Sequence, residues 1–129
     1  MLFRNAHAKL TRRIRSVSLA EEYWKRSRIR LKSDEEVEGI ARAGELVVRT
    51  LDMVAAHIRP GMTGESLNGL VHAYTLDRGA RPAPLDYRGF PKSVCISGNE
   101  EICHGIPGSR ELREGDIVNV DVTSILDGL

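Results

Sequence analysis

Chemistry-bearing residues gather at two places in the chain. The first is Asp121, in the run Gly115-Asp116-Ile117-Val118-Asn119-Val120-Asp121-Val122-Thr123. Strand alternation puts Val118, Val120 and Val122 on one face and Asn119, Asp121 and Thr123 on the other. Asp is a poor strand residue, and its charge is costly to bury alone, so Asp121 faces either water or a cation. The second is His104, just ahead of the stiff break Gly105-Ile106-Pro107. Such a break can aim an imidazole into a cleft, where it donates to a substrate carbonyl or amine; the alternative is a histidine bonded to nearby backbone. Cys95, Cys103 and His104 do not have a recurrent zinc spacing, and the cysteines read as small buried hydrophobes. No G-x-S-x-G elbow, Walker A loop or G-x-G-x-x-G run is present. His57 and His72 lack an acidic or histidine partner at metal-ligand spacing and read as structural.

The elements that position these residues are legible from capping and periodicity. Ser33 followed by Glu36 is a capping box, so a helix starts there. Its apolar positions Val37, Ile40, Ala41, Val47, Leu51, Val54 and Ile58 predict one buried face, ended by Arg59-Pro60-Gly61. Thr63 caps a second helix with Leu67, Leu70, Val71 and Tyr74 inward and Gly79 as its stop. Prolines between Arg81 and Pro91 impose a rigid loop. Short strands are expected at Ser93 to Ser97 and Ile102 to His104, and a longer one from Ile117 to Leu126.

Composition bounds the class. The chain has 129 residues and 41% hydrophobic content, enough for one cored domain. Two cysteines are too few for a disulfide framework, and no apolar run is long enough to span a membrane. A reducing, cytoplasmic setting is the default. The overall net charge of +1 hides an asymmetry: residues 1 to 32 hold ten Lys/Arg against two Glu, and the remainder holds nine basic and sixteen acidic residues. Phe3, Ala6, Leu10, Ile14 and Val17 recur at helical spacing among arginines, so a basic amphipathic extension is expected over residues 1–28. Three readings of it stand: a transit peptide, which would make the location mitochondrial; a tether to ribosomal RNA; or a solvated extension.

The runs GFPKSVCIS at Gly89 to Ser97, ICHGIP at Ile102 to Pro107, and GDIVNVDVT at Gly115 to Thr123 carry a resemblance. Together with the helix opening at Ser33 and the Pro60-Gly61 break, residues 29–129 resemble the N-terminal half of type I methionine aminopeptidases. The resemblance implies an α/β (α+β) architecture, the first half of a pita-bread fold, with two helices packed on a curved antiparallel sheet. It also implies two divalent metal ions (cobalt, manganese, iron or zinc) that activate water in the complete, monomeric enzyme. By motif position Asp121 matches a metal ligand, and His104 a histidine that contacts substrate near the scissile bond. Tyr87, Phe90 and Cys95 match positions lining the methionine pocket. The implied substrates are nascent polypeptides whose N-terminal Met is followed by a small residue.

Gly98 and Glu101 depart from the family's usual residues around the Asn99 turn, and Phe90 stands where many members carry Tyr. The family's further metal ligands fall beyond the position of Leu129, so the expectation is a truncated chain, inactive alone, with exposed apolar surface. A non-catalytic module of pita-bread origin that docks on ribosomes is the alternative. A proline dipeptidase of the same fold fits the three runs less well.

Overall fold

The computed structural model describes residues 18–129. The amphipathic pattern from Phe3 to Val17 lies outside the described residues. Contacts divide the chain into two compact units, residues 1–32 and 33–129. In the first, α1 spans Leu19–Ser27. Ser18 caps it by accepting from the Glu21 amide, Glu21 and Glu22 sit at its positive end, and Lys25 and Arg26 sit at its negative end. Arg28 closes it in a left-handed conformation, its amide donating to the Trp24 carbonyl. No α1 residue is buried.

The second unit begins with α2, Asp34–His57. The capping box is present: the Glu36 amide donates to Ser33 Oγ at 3.2 Å and the Ser33 amide to Glu36 Oε2 at 2.8 Å. The buried stripe differs from the one expected. It consists of Gly39, Ala43, Leu46, Thr50 and Val54, whereas Val37, Ile40 and Leu51 are exposed, Val37 to 54%. Small residues win this face because α2 must lie close to its neighbours. A Cβ on Gly39 would come within 2.4 Å of the Leu129 side chain, and Thr50 satisfies its buried hydroxyl by donating to the Leu46 carbonyl. Of the expected positions Val54 is in the core and Ile58 packs against it, so bulk hydrophobicity finds the C-terminal end of the stripe and misses its N-terminal half.

After Pro60-Gly61, Thr63 caps α3, Gly64–Leu76, with Ser66 reciprocating. The helix ends three residues before Gly79, which takes φ 71 in the following turn. Leu67 and Val71 of α3 meet Val54 of α2 and Val94 and Ile96 in one core, flanked by Met62, Leu112, Val118, Val120 and Val122.

Four short strands complete the unit: β1 Arg81–Pro82, β2 Cys95–Gly98, β3 Val118–Asp121 and β4 Ser124–Ile125. β2 pairs antiparallel with β3, setting Cys95 opposite Asp121 and Ser97 opposite Asn119. β1 pairs antiparallel with β4, setting Pro82 opposite Ser124. The long strand expected from Ile117 to Leu126 is therefore two strands that change partner at Val122-Thr123, as happens when a twisted run curves off one neighbour onto the next. The expected strand at Ile102 to His104 does not form. Ile102 is 92% exposed, His104 has φ 55, and the Gly98 amide is taken by the Glu101 carboxylate, so the segment leaves β2 as a loop.

Candidate functional site

A hollow of about 740 Å³ opens between the β2–β3 pair and the proline-rich loop. Tyr87, Phe90, Cys95, His104 and Asp121 all line it. Ala83, Pro84, Arg88, Pro91 and Ile106 also line it without a chemical signal in the sequence, as does Thr123 from the polar face of the last strand. The signal for Arg88 was the Asp-Tyr-Arg-Gly turn, where Asp86, Arg88 and Gly89 all have positive φ. That turn is tied by the Tyr87 amide to the Pro84 carbonyl at 3.0 Å and the Asp86 amide to the Phe90 carbonyl at 2.9 Å. Non-glycine residues in this region are strained and persist where the surroundings enforce them.

Each wall has its own support. The loop entering β2 is held by α3: the Ser93 amide donates to Asn68 Oδ1 and Ser93 Oγ shares a hydrogen bond with His72 Nδ1, both at 2.8 Å, while Lys92 pairs with Glu65. His72 is thus structural, and His57 donates to the Met53 carbonyl of its own helix. The floor is β2, where Cys95 is buried beside Asp121. Burial, then the charge of Asp121 and that of Cys103, raise the Cys95 thiol above its usual pKa, so it presents a neutral, polarisable group to the hollow. Cys103 is exposed and lies outside the lining.

Asp121 projects from the end of β3, and its register is set at the other end of that strand. Asn99 Nδ2 donates to Asp116 Oδ1 at 2.9 Å, the Ile117 amide donates to Asn99 Oδ1 at 3.0 Å, and the Asn99 amide donates to the Ile117 carbonyl at 2.8 Å. The Arg113 amide also donates to Asp116. The Asn99 bond first, then that amide, hold the Asp116 carboxyl below its usual pKa. Asn99 and Asp116 are contributors that strand patterning missed, because their partnership spans a loop of sixteen intervening residues.

His104 and Asp121 make no side-chain hydrogen bond or ion pair among the described residues. Both are free to meet a ligand. Asp121 is the carboxylate on the lining, and no group of three or more His, Cys, Asp or Glu able to hold a metal occurs among the described residues. Hard divalent ions take several oxygen or nitrogen ligands. Asp121, His104 and Cys95 thus share the lining without forming such a group among the described residues.

Residues 38–129 match the profile described as Metallopeptidase family M24. The chain is 47% identical over 100 residues to a methionine aminopeptidase of Rickettsia prowazekii, covering 78% of this chain and 39% of that protein. It is 49% identical over 94 residues to methionine aminopeptidase 1 of Saccharomyces cerevisiae, covering 73% and 24%. A chloroplastic methionine aminopeptidase 1B of Arabidopsis thaliana is 50% identical over 94 residues, with 70% and 26% covered. Against the crystal structure of the Rickettsia enzyme the TM-score is 0.76 over 78% of this chain and 40% of that one. Against the Thermotoga maritima methionine aminopeptidase it is 0.74 at 37% identity, covering 78% and 41%. A Xaa-Pro dipeptidase from Bacillus anthracis shares the fold at TM-score 0.62 and 18% identity, covering 73% and 25%. The likeness bears out the expected α/β architecture of helices on antiparallel strands. The chain spans well under half the length of each of these relatives.

Proposed function

Since the chain belongs to metallopeptidase family M24, we propose that it serves the removal of N-terminal methionine from nascent polypeptides whose second residue is small. The supporting observation is the convergence of Tyr87, Phe90, Cys95, His104 and Asp121 on one hollow. Tyr87, Phe90 and Cys95 hold the methionine side chain. Aromatic faces and a neutral thiol suit a flexible thioether better than a charged or rigid side chain. His104 donates to the peptide near the bond to be cut, and Asp121 serves as a metal ligand.

Bound divalent ions, cobalt, manganese, iron or zinc, supply Lewis-acid activation of water in such chemistry. Asp121 alone does not complete their coordination, so the contribution of these residues is to bind and orient the substrate.

The test is ligand binding to the 129-residue chain followed by NMR. A Met-Ala-Ser peptide should shift resonances of Tyr87, Phe90, Cys95 and His104, and a Glu-Ala-Ser peptide should not. Equal perturbation by both peptides, or none by the first, refutes the assignment.

For the basic segment we propose ribosome association in the cytoplasm. The supporting observations are the ten basic residues among residues 1 to 32 and exposed Trp24 on α1. Arg26 lies 5.5 Å over the Tyr23 ring and Arg28 5.4 Å over Trp24, giving flat cationic faces suited to phosphate and base. No helix among the described residues is long and apolar enough to cross a membrane.

A further inference from the structure

We infer that Gly105 and Ser97 are positioning residues for His104, an inference that rests on the substrate role proposed for that histidine. His104 lines the hollow, yet no side-chain partner among the described residues fixes its ring. Its backbone has φ 55, a left-handed conformation that a residue with a Cβ rarely adopts unless its neighbours hold it there. The hold comes from the next residue. The Gly105 amide, part of the peptide unit that leaves His104, donates to Ser97 Oγ at 3.0 Å. The Gly105 carbonyl accepts from the Ile96 amide, also at 3.0 Å. These two bonds clamp the loop to β2 on either side of the Gly105 Cα.

Only glycine permits that clamp. A Cβ at residue 105 would stand 2.2 Å from the Ile96 carbonyl oxygen and 2.9 Å from its carbon. Both are backbone atoms of a core strand, so the loop rather than the strand would have to move. Ser97 is buried on β2 opposite Asn119, which places its hydroxyl in a fixed register under the loop. Further along, the Glu65 amide at the start of α3 donates to the Gly108 carbonyl at 2.9 Å, tying down the far end of the same loop. The backbone at His104, and with it the direction of its Cα–Cβ bond, is thus set from the core through Ile96 and Gly105.

The experiment compares Ser97→Ala, Ser97→Thr and Gly105→Ala in the 129-residue chain by NMR. Ser97→Ala should displace the His104 ring resonances. It should also speed Gly105 amide exchange by roughly five-fold, the scale of one lost hydrogen bond, with the Leu67 and Val94 methyl signals unmoved. Ser97→Thr keeps the hydroxyl and should restore both. Gly105→Ala should displace His104 further; if that variant does not fold, the Ala and Thr pair at residue 97 decides. His104 signals unchanged in Ser97→Ala, or displaced equally in Ser97→Thr, overturn the inference. This signature is read without ligand. A wild-type chain that ignores Met-Ala-Ser would sink the substrate reading while leaving the positioning result to stand or fall alone.

Discussion

Truncating Leu67 should cost far more stability than truncating Ile102, although both carry a four-carbon aliphatic side chain. Leu67 is fully buried among Val54, Val71, Val94 and Ile96, so Leu67→Ala removes methyl and methylene groups from a site whose neighbours are tied to three elements. Transfer and cavity terms together put the loss at about 3 kcal/mol, within the range of roughly 2 to 5 for buried leucines. Ile102 is 92% exposed, and Ile102→Ala should stay within about 0.5 kcal/mol of wild type. Urea unfolding followed by far-UV circular dichroism reads the difference. With a slope of about 1.5 kcal/mol per molar for a unit of this size, the midpoint for Leu67→Ala falls by about 2 M. Val94→Ala is a milder companion should Leu67→Ala fail to fold. Equal midpoints for Leu67→Ala and Ile102→Ala, or for Val94→Ala and Ile102→Ala, would refute the placement of the core under β2.

Other perturbations separate the parts of the site. Iodoacetamide at pH 8 should modify exposed Cys103 well before Cys95, whose thiol is buried and raised in pKa; mass spectrometry of timed digests showing the reverse order would contradict the burial of β2. The lowered pKa of Asp116 means that its carboxylate stabilises the Asn99 turn above the ordinary carboxylate value of 3.8. That support is lost as pH falls from there through the lowered pKa, so amide exchange at Ile117 and Arg113 should quicken across that acid window, and not in Asp116→Asn. The 129-residue polypeptide should release no methionine from Met-Ala-Ser with added cobalt or manganese, because among the described residues Asp121 is the one carboxylate on the hollow; a normal turnover would overthrow the ligand count. Removing residues 1–28 should abolish ribosome co-sedimentation at low salt, and added salt should do the same for the whole chain; salt-insensitive binding would rule out phosphate contact.

Much of the fold was legible because local chemistry agreed with the tertiary answer. Ser33 with Glu36, and Thr63, specify helix starts through hydrogen bonds made within one turn, and both caps form. Alternation around Asp121 likewise survives, since Val118 and Val120 pack on the core while Asn119 and Asp121 face outward. The α2 stripe and the Asn99–Asp116 pair depended on partners distant in sequence, whereas the missing strand has a local cause. The buried stripe of α2 includes Gly39 because Leu129 approaches it closely, which a hydrophobicity pattern cannot register. The loop at Ile102 to His104 has strand-like composition, but one left-handed residue and the Glu101 side chain divert it. Asn99 and Asp116 are ordinary turn residues until the hairpin brings them together.

If the proposed function holds, side-chain selection and bond cleavage draw on different parts of the chain. Selection needs shape and an apolar wall, and the proline-rich loop with β2 supplies these from residues 83 to 95, close in sequence and braced by α3. Cleavage by a metal-activated water needs several anionic or imidazole ligands converging from different directions, and β3 presents Asp121 alone. A carboxylate isolated on a sheet face gains nothing for the fold, since Asp121 has no hydrogen bond or ion pair among the described residues. On the proposed reading, Asp121 would serve a bound cation rather than the fold, beside a pocket shaped to choose its substrate.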